Sequence, residues 1–184
     1  ILAGAGDGSA RQVRAALLSA MASVKAASAR RLTVCFTAAC SGHVLRAAML
    51  AIAEATYVYT TTQSKPEGRN LRSVRMGVPD SVTLADAFAQ GAAVVAGIEL
   101  AKEWANRPAN HATPSLLAGA ARALAKYPKL HCEVLGPKEV ARLGMGAFLA
   151  VAQGSQEPMR FIVLRYNGAA KTSAPVVLVG KGIT

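Results

Sequence analysis

The sequence predicts an α/β fold, with helices packed on mixed or parallel sheets. Three observations carry that expectation. Apolar residues recur at three- and four-residue steps through Val13, Leu17, Met21 and Val24, through Leu45, Met49 and Ile52, and through Leu84, Phe88, Val95, Ile98 and Trp104. Between these stripes lie short β-branched or alternating runs. Glycine, proline and small polar residues punctuate the joins.

Taken in order, Ile1-Leu2-Ala3 is strand-like, and Gly4 to Gly8 is a turn. Ser9 is placed to cap the first helix. Leu32 to Thr37 is a buried strand, and Ser41 is placed to cap the second helix. Thr56 to Thr62 fits either a strand or an irregular connection, and Lys65 to Asn70 is a loop. Leu71 to Val78 alternates as a strand with an irregularity near Ser73. Ser81 or Thr83 opens a long helix that Pro108 stops. Asn106 to Pro114 is a polar, proline-marked connection, and Pro114 to Tyr127 is a helix with Thr113 as cap. Leu130 to Leu135 is a strand, and Gly136-Pro137 begins a short helix to Leu143. Gly144 to Ser155 is glycine-punctuated. Met159 to Tyr166 and Pro175 to Val179 are strands separated by a turn.

Composition narrows the class. The 184 residues are 52% hydrophobic and 17% charged, which excludes disorder. Glycine has no three-residue period and there are only three cysteines, which excludes collagen and disulfide scaffolds. Cys35, Cys40 and Cys132 read as buried, reduced thiols. No apolar run reaches the ~18 residues of a membrane span. The chain opens and closes in strand-like segments, whereas domain ends lie mostly in exposed tails, so a piece of a longer protein is expected.

Few residues suggest chemistry. Gly4-x-Gly6-x-Gly8 has Ser9 where a dinucleotide fingerprint needs its third glycine, and Ser23, Val24 and Lys25 supply no ribose-binding acid. His43, His111 and His131 form no metal-ligand spacing, and His131 and Cys132 point to opposite faces of their strand. Glu99 and Glu103 lie four apart on a helix beside Lys102 and Arg107, as a solvated face does. Lys181 stands out. It sits between two glycines at the end of an apolar strand, the edge at which open α/β sheets bind ligands.

Three segments carry a family resemblance. They are Asn106-Arg107-Pro108-Ala109-Asn110 with Thr113-Pro114, Leu143 to Val151 with Gly154-Ser155, and Pro175 to Thr184. In order and spacing they resemble the leucine aminopeptidase family of cytosolic two-metal exopeptidases. The resemblance implies residues 1–80 in an N-terminal α/β domain, 81–105 as a linking helix, and 106–184 as the beginning of a catalytic domain. It implies a cytoplasmic hexamer that releases N-terminal amino acids from peptides. It also implies two divalent ions, zinc with manganese or magnesium able to replace it. By the same resemblance Lys181 is a metal ligand. A protonated lysine has no lone pair to donate, so a nearby dication has to hold the amine neutral. The family's acidic ligands and catalytic lysine fall beyond Thr184, so these 184 residues alone are expected to be inactive. The net charge of +11 raises DNA as an alternative partner, and Arg69, Arg72 and Arg75 form the best local patch.

Overall fold

A computed structural model describes residues 1–182. The chain forms two compact units, Ile1–Asn106 and the residues from Arg107 on.

In the first unit, α1 (Ala10–Ala26), β1 (Arg31–Cys35), α2 (Gly42–Thr56), β2 (Ser73–Gly77) and α3 (Ala85–Ala105) follow one another. β1 and β2 pair in parallel, with Arg31 opposite Ser73 and Cys35 opposite Gly77. A parallel pair needs a crossover, and α2 supplies it. Leu32, Val34 and Met76 meet Met21, Val24, Ile52 and Leu71 in one part of the core. Val13, Val44 and Ala48 form the other, with Phe36 and Leu17 against them. The expected caps are present: Ser9 accepts from the Gln12 amide at 3.4 Å and Ser41 from the Val44 amide at 3.3 Å. Helix α2 is the most enclosed element, with Leu45, Ala48 and Ala51 at 1%, 0% and 0% exposure.

Helix α3 packs on α2 through small residues. Its buried position is Gly91, and Ala87 lies against Gly42. Leu84, Ala87, Gly91 and Val95 line that side, so the expected stripe is rotated and Phe88 and Ile98 stand half-exposed. The helix also starts later than Ser81 or Thr83. The Thr83 amide and hydroxyl are both given to Asp80, in a turn that precedes the first helical residue. Thr56 to Thr62 resolves as the irregular alternative after the last residue of α2.

The second unit contains a 3-10 turn at Ala109–His111, α4 (Pro114–Leu124), β3 (Leu130–Leu135), α5 (Pro137–Arg142), α6 (Gly146–Ala152) and β4 (Phe161–Tyr166). β3 and β4 pair antiparallel, Leu130 opposite Tyr166 and Leu135 opposite Phe161. Helix α4 packs on both strands, with Ala118 and Ala121 buried. Together the two units give the α/β class expected, with one parallel and one antiparallel ribbon.

Two expectations need correction, and the glycine-marked stretch gains an element. Ile1 to Ala3 and Pro175 to Val179 are not strands, because no described backbone pairs with them; Leu2, Leu178 and Val179 are more than nine-tenths exposed. The glycine-marked stretch after Leu143 contains a helix, α6. The cysteines are free but none is fully buried. Cys35 shares the outer face of β1 with Arg31 and Thr33, since only alternate residues of that strand reach the core.

Candidate functional site

The three segments that carry the family resemblance take distinct local forms. In the first, Pro108 enters the 3-10 turn, where the His111 amide donates to the Pro108 carbonyl at 2.8 Å. Thr113 then caps α4, accepting from the Leu116 amide at 3.4 Å, and Pro114 begins the helix, where its missing amide hydrogen costs nothing. His111 is exposed, as is His43.

The second segment is a helix stop followed by a helix start. Gly144 has φ +68°, a conformation that favours glycine. Its amide donates to Ala141 at 3.0 Å, and the Met145 amide donates to Val140 at 3.3 Å. This is the paired closure that ends many helices in a left-handed residue. Helix α6 follows at once, and Phe148 meets Phe161 of β4 edge to face at 5.9 Å. At the other end of α5, Glu139 reaches back to accept from the Gly136 amide at 2.9 Å. Hydrogen bonds from its own backbone amide and then from that of Gly136, with Arg142 and Lys138 nearby, hold its carboxyl below the usual range.

In the third segment the described residues, 175–182, form no helix or ladder. Lys181, the expected metal ligand, is exposed between Gly180 and Gly182, and Ile183 and Thr184 lie outside the described residues. Among the described residues no hydrogen bond or ion pair joins Lys181 to the other two segments. Hard dications require several oxygen donors. Among the described residues no three or more His, Cys, Asp and Glu side chains lie together. The described residues by themselves therefore do not complete a metal centre, and Lys181 could contribute at most one of the ligands such a centre needs.

The basic patch is also divided. Arg69 is taken up by Glu99 and by the Thr56 carbonyl, while Arg75 pairs opposite Thr33 on the outer face of the ribbon and Arg72, just before β2, is exposed. Glu99 and Glu103 are likewise not simply solvated, as both engage the loop after α2. The signal was present in the sequence: Glu99, Lys102, Glu103 and Asn106 stand at i, i+3, i+4 and i+7 over the end of the helix and its cap. No described helix is long and apolar enough to cross a membrane.

Residues 99–184 match the sequence model of the cytosol aminopeptidase family, catalytic domain. All 184 residues align at 60% identity with an Albidiferax ferrireducens protein named "Probable cytosol aminopeptidase", covering 38% of it. The chain thus spans about two fifths of that relative's length. Among solved structures, a mutant tomato leucine aminopeptidase superposes with a TM-score of 0.73 at 25% identity, over 84% of this chain and 32% of that one. The bottromycin maturation enzyme BotP in complex with Mn gives 0.72 at 28% identity, over 87% and 34%. The catalytic-domain match from residue 99 and the identity along the whole chain make this sequence similar to part of the cytosol aminopeptidase family.

Proposed function

We propose that this chain is part of a leucyl aminopeptidase that releases N-terminal amino acids from peptides with two divalent metal ions. The observation that carries the reading is the catalytic-domain match over residues 99–184. The manganese named with one similar structure supports a divalent metal. Carboxylate donors suit manganese and magnesium, and zinc accepts nitrogen and carboxylate donors together. On this reading residues 1–80 belong to an N-terminal domain, 81–105 to a linking helix and 106–184 to the start of the catalytic domain. Lys181 ligates one ion, and the oxygen donors come from sequence outside these 184 residues. The whole protein is a cytoplasmic hexamer, as its family resemblance implies.

Within the described residues the work is structural. The turn at Ala109–His111, the cap at Thr113 and the glycine stop at Gly144 set the backbone path of the segments that carry the resemblance. The chain is expected to be inactive by itself. A leucyl chromogenic amide tests this: the full-length protein should turn it over, and the 184-residue chain should not. Comparable rates from the two would refute the assignment of the missing donors. In the full-length protein Lys181→Ala should lower bound metal and activity together while leaving the far-UV spectrum unchanged. Unaltered metal content and rate would remove Lys181 from the site.

A further inference from the structure

The last two turns of α3 carry Glu99, Lys102 and Glu103 on one face, and Asn106 caps the helix beyond them. Each of them meets the loop that leaves α2. The Arg69 guanidinium donates to the Glu99 carboxylate, and its Nε donates to the Thr56 carbonyl at 3.0 Å. The Thr61 hydroxyl donates to Glu103. The Asn106 amide nitrogen donates to the Tyr57 hydroxyl at 3.3 Å, and the Lys102 ammonium stands 5.1 Å from the centre of the Tyr57 ring. Residues 57–72 contain no helix or strand, and 61–70 are exposed throughout. Side chains, not a backbone ladder, therefore hold this loop on the helix.

We infer that residues 57–70 form a salt-sensitive strap over the end of α3, with Arg69 and Glu99 as its clasp. The position gives the strap its meaning. Glu99, Lys102, Glu103 and Asn106 fall inside the match to the catalytic-domain model, whereas the loop that grips them precedes it. The strap fastens the loop after α2 to the end of α3 within the first unit, where the catalytic-domain match begins. The clasp side chains are 36% and 31% exposed, open enough for dissolved ions to screen them. Raised ionic strength therefore releases the strap and frees the last turns of α3.

Trypsin reads the clasp directly, because cleavage after Arg69 requires the enzyme to take up the guanidinium that Glu99 holds. Lys65 is followed by Pro66 and resists cleavage, and Lys171, in an exposed turn, serves as the internal reference. In the full-length protein the ratio of cleavage after Arg69 to cleavage after Lys171 is followed by mass spectrometry. Glu99→Gln should raise that ratio about twofold to fivefold, the range of a partly exposed ion pair. Half-molar salt should raise the wild-type ratio similarly and leave the variant's unchanged. A wild-type ratio that does not respond to salt overturns the proposal whether or not the variant folds. So does a folded Glu99→Gln protein that is cut no faster than wild type.

Discussion

At the residue scale the contact between α2 and α3 turns on two glycines with different neighbours. A Cβ added at Gly42 would stand 2.7 Å from the Cβ of Ala87, an atom fixed to the backbone of α3. A Cβ added at Gly91 would stand equally close to Met49 Sδ, near the end of a side chain with three rotatable bonds. The distances are alike, but only the second neighbour can move aside. Replacing helical glycine by alanine also gains up to about 1 kcal/mol of propensity. Gly91→Ala should therefore be close to neutral. Gly42→Ala should cost about 1–3 kcal/mol, the range for overpacking a rigid contact. Urea denaturation of the full-length protein, followed by a signal from this unit, distinguishes them, and equal midpoints for the two variants would show that α3 slides freely on α2. Neither glycine is singled out by a sequence pattern. The apolar stripe suggested that Phe88 and Ile98 face the core, whereas close approach at Gly91 turns them half outward. Small residues permit approach without announcing it in hydrophobic periodicity.

At the scale of elements, what could be foreseen followed from local chemistry. Helices α1, α2 and α4 combine a serine or threonine cap with a stripe or a proline start, and each begins where that chemistry places it. Helix α6 was hidden because Gly144 and Gly146 punctuate the sequence. One of them closes α5 in the left-handed region, and the other opens the next helix. The start of α3 went astray for a related reason. Thr83 looks like a cap, but its amide and hydroxyl serve Asp80 instead. The Thr83 hydroxyl, and then its amide, hold the Asp80 carboxyl below its usual value. A carboxyl lowered on folding adds stability above its unfolded pKa, near 3.9, and loses it as pH falls through the lowered folded value. Thr83→Val removes the hydroxyl at nearly constant volume. Carbonyl carbon NMR should then show Asp80 titrating at higher pH than in wild type, closer to a free aspartate. An unchanged midpoint would mean that the amide alone sets the shift.

At the scale of the molecule, the α/β class was legible because alternation of strands and helices is encoded locally, residue by residue. The candidate site was legible only through motif resemblance, and the reason is physical. A metal centre is an assembly of donors, and the described residues offer Lys181 without a cluster around it. The same holds for the apolar run that precedes it. Val176, Val177, Leu178 and Val179 are 73–93% exposed, successive residues alike. A continuous apolar run is the pattern of a strand covered on both sides, not of a surface edge. Burying each such side chain is favourable by about 1.5–3 kcal/mol, and the unpaired backbone beside them is a template for another strand. The isolated 184-residue polypeptide should therefore self-associate through this segment even though its net charge of +11 opposes contact. Val177→Thr combined with Val179→Thr keeps shape and charge while removing apolar surface from one face. Light scattering after size exclusion should show the wild-type polypeptide shifting to larger species as its concentration rises, with the double variant shifting much less. A wild-type polypeptide that stays monomeric at about 100 µM, inside the micromolar-to-millimolar range in which exposed edges associate, would mean that these valines find cover within the chain itself.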